Sequence, residues 1–346
     1  MSKVLWKYRA RWRGFTLIEL MVTLALLSVL TVMMVSMTNS TGAVWHSTTA
    51  KIEQFRGADT AFETITRRLS QATLNTYWGY DNSNAPKKYQ RQADLRFITG
   101  NTQTLLKTHT PRRPLHAVFF QAPLGWVDDT TNFDSLDNLI NTCGYYVEFN
   151  DDKASRPDFI NSMSAPLATR WRYRLMELTQ PSNSLSVYSF TSGQPTYKGY
   201  DWFARALTQS NPPTRALAEN IIALVLQPKL SKADQATTNK TLSKDYSYDT
   251  TNPTAITDPD INPTSQLPPL VQTTIVAIDE TSAARLDKGS TPPPFDSTLD
   301  NLFVKTEDFD ADLATLQNVL SSAKPPINYR VFTTSVSIRG AKWSRK

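Results

Sequence analysis

The 346-residue chain has one cysteine, three histidines and only 11 glycines. A lone Cys143 excludes an intrachain disulfide and any zinc site built on two or more cysteines. Its expected role is that of a small buried hydrophobe. Three histidines leave little material for a His-based metal centre. The low glycine count excludes collagen-like and Gly-linker classes, whereas 21 prolines fit a domain with many Pro-punctuated loops. Signatures of catalysis are missing as well: there is no Gly-x-Ser-x-Gly, no His-Glu-x-x-His and no Walker loop. No enzyme activity, metal or cofactor is therefore expected. With 40% apolar and 20% charged residues, a packed core is feasible.

The net charge of +6 is a property of one segment. Lys3, Lys7, Arg9, Arg11 and Arg13 lie in the first fourteen positions, with no acidic residue among them. Taking those five from the 37 basic residues leaves 32 against 31 acidic ones. The basicity belongs to a leader and not to a groove, so no nucleic-acid partner is expected.

From Phe15 to Met37 run 23 residues, of which 17 are apolar. As a helix this run spans roughly 34 Å, enough for a bilayer core. All flanking charge is on its N-terminal side, which orients the leader to the cytoplasm and the bulk of the chain outward. A cleaved secretory signal fits poorly: the run is too long for an h-region and carries Glu19 near its start. A plain single-pass anchor leaves Glu19 unexplained, since a carboxylate at that depth costs about 2–3 kcal/mol.

Gly14-Phe15-Thr16-Leu17-Ile18-Glu19-Leu20, behind its basic leader, resembles the cleavage and methylation motif of type IV prepilins and type II secretion pseudopilins. The resemblance implies that prepilin peptidase cuts after Gly14 and that Phe15 is then N-methylated. It also implies that Glu19 pairs with the N-terminal ammonium of a neighbouring filament subunit. Electrostatics agrees, because cleavage creates a cation and a buried carboxylate needs one.

Beyond Met37 the apolar spacing continues through Val44, Ile52, Phe55, Ala58, Phe62, Ile65, Leu69 and Ala72, one face of a helix. Lys51, Glu53, Arg56, Asp59, Glu63, Arg67 and Arg68 fill the other face. Asn39-Ser40-Thr41-Gly42 reads as a kink or softened turn. The predicted organisation is a leader at 1–14, a membrane half of the helix at 15–38, an amphipathic half at 39–76 and a β-rich extracytoplasmic head at 77–346.

Within the head, strands are predicted at 115–121, 144–149, 171–178, 184–190, 220–227, 272–278 and 329–339, and helices at 201–207 and 307–322. The alternation in 171–178 and 331–338 predicts sheets with one solvated face. The Thr/Asn/Asp/Pro-rich stretch 229–269 reads as a flexible, partly disordered loop, and 288–294 as a second loop. The fold class is α+β: a long pilin-like helix packed on a mostly antiparallel sheet. The order of helix, strand 171–178, apolar segment 217–226 and Leu267-Pro268-Pro269-Leu270-Val271 is similar to the minor pseudopilin J family. The ending Ile338-Arg339-Gly340-Ala341-Lys342-Trp343 resembles prepilin-type cassette proteins of Verrucomicrobia, cassette protein C in particular.

Weaker chemical candidates have plain alternatives. His109 and His116 straddle Pro111–Pro114, where an exposed loop is expected in place of a metal pair. Asp308, Asp310 and Asp312 resemble the opening of a calcium loop but lack its glycine and read as helix. Asp249, Asp258 and Asp260 fall in the flexible stretch, where carboxylates serve solubility. Trp126, Trp171, Trp202 and Trp343 read as core residues in preference to a sugar platform. Two functional classes remain. One is a structural subunit of a type IV pilus-like or type II secretion-like pseudopilus, working with prepilin peptidase, other prepilin-type subunits and an inner-membrane assembly platform. The other is a membrane-tethered extracytoplasmic binding or adhesion protein that uses the prepilin segment only for export.

Overall fold

A computed structural model describes residues 16–82, 84–107, 110–133, 139–161, 167–185, 187, 202–209, 211–238, 241–251 and 263–342. The chain divides into two units, 1–53 and 54–346, each taken by itself. The first helix, α1 (Leu17–Ser70), contributes to both.

In the first unit, Leu17–Thr41 forms an apolar helix of 25 residues with mean hydropathy 2.3, long enough to cross a membrane, and none of its side chains is covered by protein. Residues 39–42 carry helical backbone where a softened turn was expected. The hydroxyls of Thr38 and Thr41 donate to the carbonyls of Met34 and Met37, both at 2.8 Å, so these polar residues bond along the helix instead of interrupting it.

In the second unit, α1 buries Ala58, Ala61, Ile65 and Leu69, with Ala72 just past its end and Phe55 and Phe62 half-buried. This is the face that the spacing predicts. The strands are β1 (Tyr77–Tyr80), β2 (Tyr89–Gln92), β3 (Ile98–Asn101), β4 (His116–Pro123), β5 (Ile140–Asp151), β6 (Trp171–Gln180), β7 (Thr214–Glu219), β8 (Ile221–Lys229), β9 (Tyr248–Asp249), β10 (Leu270–Ile278) and β11 (Tyr329–Ser337). They form a six-stranded antiparallel sheet in the order β7-β6-β5-β4-β3-β9, a three-stranded antiparallel sheet β11-β10-β8, and a separate ribbon β1-β2. A long apolar helix followed by antiparallel sheets is the α+β class that the sequence predicts.

The main core lies between α1, one face of the large sheet (Phe120, Tyr145, Val147, Leu175) and the small sheet (Leu224, Ile275). A second core covers the opposite face of the large sheet, where Phe119 stacks on Phe203 of the helix Trp202–Leu207 at 4.2 Å. Gly144 makes room for that ring, since a Cβ there would lie 2.3 Å from Phe119.

Covering both faces overturns the expectation for β6. Arg172 and Arg174 do not face solvent. They are buried, Arg172 paired with Asp287 at 2.7 Å and Glu280 at 3.1 Å, and Arg174 with Glu219 at 3.1 Å and with carbonyls of Asn150 and Asp151. The ion pairs carry charge into positions that alternation assigns to water. In β11 the alternation holds in part: Phe332 and Val336 are buried and Thr333 and Ser335 exposed, but Thr334, on the face of Phe332 and Val336, is exposed as well.

Two further expectations are corrected. Residues 182–184 form a 3₁₀ turn, and 188–190 of the predicted strand 184–190 lie outside the described residues. The stretch 229–269 is in large part built into the head. It holds a helix at Lys232–Thr238 and strand β9, and it buries Leu242, Tyr246, Tyr248 and Leu267. Four widely spaced apolar side chains suffice because polar groups are paired too. Asp249 takes two bonds from Arg96 at 3.0 and 2.7 Å, and Thr250 Oγ1 accepts from the Phe97 amide at 3.0 Å. Burial raises the Asp249 pKa, but the Arg96 bonds outweigh it and hold the carboxylate below its usual range. Asp258 and Asp260 lie outside the described residues.

His116 is a core residue of β4 and not a loop residue; His109 is outside the described residues. Its Nε2 donates to the Phe303 carbonyl at 3.1 Å and its Nδ1 accepts from the Leu226 amide at 3.3 Å, with Tyr246 packed against the ring. Only the neutral ring with its proton on Nε2 satisfies both bonds. Burial pushes its pKa down from 6.5 to about 4. Above pH 6.5 the residue is neutral folded or unfolded. As pH falls from 6.5 toward 4, the unfolded chain binds a proton that the folded chain refuses, and stability is lost. Between pH 7 and 5 this loss is about 2 kcal/mol, read as a lower urea midpoint. His116→Gln should be less stable at pH 7 yet lack the drop; an equal drop in the variant would place the titration elsewhere.

Candidate functional site

Two carboxylates organise the functional ends of α1, and each is satisfied differently. Glu19 stands in the first turn. The Thr16 amide and hydroxyl donate to Glu19 Oε2 at 3.2 and 3.1 Å, and the Glu19 amide donates back to Thr16 Oγ1 at 3.3 Å. This is a capping box: Thr16 and Glu19 reciprocally bond amides that the helix start leaves without partners. Its negative charge also suits the positive end of the helix dipole. In the sequence Glu19 is a charge that needs a cation; in the structure the first turn already engages one of its oxygens. Oε1 makes no hydrogen bond among the described residues.

The polar side chains that follow are satisfied along the helix. Thr23, Ser28 and Thr31 donate to the carbonyls of Leu20, Ala25 and Leu27 at 2.9, 2.8 and 2.7 Å. Hydroxyls bonded in this way suit a segment that meets no water. Gly14, Phe15 and the leader charges Lys3, Lys7, Arg9, Arg11 and Arg13 lie outside the described residues.

The second carboxylate was missed in the sequence. Glu177 of β6 is fully buried beneath the last turns of α1. Arg68 Nη1 and the Tyr145 hydroxyl, the latter at 2.7 Å, both donate to Oε1; Arg215 Nε donates to Oε2 at 2.6 Å. Arg68, expected on the solvated face of the helix, turns into the sheet. Burial and then the neighbouring Glu177 charge push the Tyr145 hydroxyl pKa far up, so it stays a proton donor. Burial pushes the adjacent Cys143 thiol up to about 12, consistent with the inert, small apolar role expected for it. The only hint available beforehand was a Glu at an inward position of β6, between Leu175 and Thr179.

The remaining sequence candidates fall in different settings. Asp312 Oδ2 accepts from the Phe303 amide at 2.7 Å within the helix Phe309–Ser322, and the described residues hold no group of three or more metal-ligating side chains. Trp202 is core and Trp171 half-buried, but Trp126 is 44% exposed; Trp343 is outside the described residues.

Residues 13–35 match the family model for the prokaryotic N-terminal methylation motif. No curated protein and no solved structure matches the chain.

Removing one partner of the Glu177 cluster should be costly. Glu177→Gln leaves two arginines without their counter-ion, and because Arg68 keeps some solvent the loss sits near the low end for buried pairs, about 3 kcal/mol. Pairing Glu177→Leu with Arg68→Met should restore most of it. Denaturant titration of the full chain in detergent, followed by tryptophan fluorescence, measures the coupling; a value under about 0.5 kcal/mol would mean that the pair does not hold the helix.

The methylation motif, continuous with an apolar helix long enough to cross a membrane and capped by Thr16 and Glu19, supports a prepilin-like protein and fits a single-pass N-terminal anchor.

Proposed function

We propose that the protein is a structural subunit of a type IV pilus-like or type II secretion-like pseudopilus. Prepilin peptidase cuts between Gly14 and Phe15, Phe15 is methylated, and α1 packs with other prepilin-type subunits on an inner-membrane assembly platform. The head then lies on the extracytoplasmic side. The observation that carries this reading is the methylation motif running into an apolar helix whose first-turn carboxylate keeps one oxygen unbonded among the described residues. An N-terminal ammonium one turn away, or on a neighbouring subunit, supplies the cation that this oxygen lacks in lipid. The similarity to the minor pseudopilin J family and to cassette protein C supports the same reading.

A second reading, a tethered adhesion protein, draws on the ribbon β1-β2. Tyr77, Trp78, Tyr80 and Tyr89 are all exposed there, with Arg91 over the Trp78 ring at 5.6 Å. Large exposed aromatics are uncommon on a surface without partners.

Intact-mass analysis of membrane-extracted protein should show loss of fourteen residues and one added methyl group. A mature N-terminus beyond residue 37 would point to ordinary signal-peptidase cleavage and sink the proposal. Glu19→Ala should insert into membranes as well as the wild type, while cross-linking to other prepilin-type proteins falls by tenfold or more, on the order of the cost of an unmatched buried charge. Unchanged cross-linking would leave the adhesion reading ahead.

A further inference from the structure

Beside the Glu177 cluster the head carries a cleft of about 830 Å³, between the end of α1, the loop after β4 and the start of β7. Its walls hold three guanidinium groups, Arg67, Arg68 and Arg215, against the single carboxylate of Glu177. Both Glu177 oxygens are already engaged. Arg67 has no ion pair among the described residues, and the Arg215 side chain is 65% exposed. The cleft therefore has an excess of two positive charges in a concave, partly desolvated setting, which concentrates the field on an incoming anion.

The rest of the lining says what kind of anion fits. Trp126, Pro212 and Pro213 provide apolar walls. Trp126 is exposed at its side chain yet fixed at its backbone. Its amide donates to Asn141 Oδ1 at 3.0 Å, and its carbonyl accepts from Asn141 Nδ2 at 2.7 Å and the Ser182 amide at 2.9 Å. A large aromatic held out of the core by a rigid backbone is preorganised for contact. Thr179 Oγ1, also in the lining, is shielded from solvent and has no hydrogen-bond partner among the described residues. The volume exceeds that of a single inorganic anion and falls within the range of ligand pockets.

We infer that this cleft docks an extended acidic peptide segment, its carboxylates on the guanidinium groups of Arg67 and Arg215 and its apolar atoms on Trp126 and the prolines. Arginine forks match planar carboxylates. A neutral sugar can stack on the Trp126 ring but brings no negative charge to match the two excess guanidinium charges. The inference rests on the head alone and stands whether or not the protein assembles into filaments.

The test uses the full chain in neutral detergent micelles and a fluorescein-labelled peptide of alternating proline and glutamate, followed by anisotropy. Binding should be saturable and weaken with added salt, and the matching proline–glutamine peptide should not bind. Arg67→Gln and Trp126→Ala, both at exposed side chains, should each raise Kd about tenfold, in line with loss of one charge-assisted bond or one aromatic contact. Their melting temperatures should stay at the wild-type value. No saturation up to about 1 mM, or an unchanged Kd in both variants, would overturn the assignment. Displacement of the peptide by inorganic phosphate or polygalacturonate at equal charge concentration would also overturn it, since the cleft would then recognise charge and not a peptide.

Discussion

A carboxylate without water dictates how the head is put together. Glu177 is fully buried, so it needs donors: two come from the strands on either side, Tyr145 of β5 and Arg215 of β7, each directly opposite it in register, and the third, Arg68, comes from α1. The apolar face of α1 drives the helix onto the sheet but does not by itself choose where along the strands it stops. A charge pair does, because sliding the helix by a turn would take Arg68 away from the fully buried Glu177. The end of the helix is tied down around that point. The Arg339 amide donates to the Ser70 carbonyl at 3.0 Å, Thr73 bridges to Gln121 of β4, and Gly340 sits where a Cβ would come within 2.9 Å of the Ala72 carbonyl.

The two halves of α1 satisfy their polar groups in different ways. In the membrane-length half, satisfaction is local: hydroxyls bond to carbonyls three or four residues back, and Glu19 bonds within the first turn. In lipid no other partner is guaranteed, so bonds within the segment are the safe ones. In the head-packed half, satisfaction is distant: Arg68 and Glu177 are 109 residues apart. Local bonds form in any context; the distant one exists only when the whole head is folded.

Burial on both faces of the large sheet explains why charge is so frequent inside this head. Arg172 and Arg174 of β6 reach Asp287, Glu280 and Glu219, and Arg113 reaches Glu148 at 2.8 Å. Each strand places alternate side chains on opposite faces, so a sheet covered twice must accommodate its polar set in pairs. Pairing leaves the cores on either side free to pack aromatics, including the Phe119–Phe203 stack that Gly144 admits.

The sequence by itself determined what depends on neighbours in the chain. The leader charge, the apolar run, the Gly14-to-Glu19 motif, the buried face of α1 and most long strands were legible, because each is a local pattern of period or spacing. The tertiary structure alone decided which polar residues are inside. Arg68, Glu177, Arg172, Arg174 and His116 look like surface or loop residues in sequence, and Tyr246 and Tyr248 sit in a stretch that reads as disordered. Short strands such as β3, β7 and β9 carry too few residues to announce a period. The reason is physical: a hydrophobic period reports on water reaching one face, while a buried ion pair reports on a partner that only long-range folding brings within 3 Å.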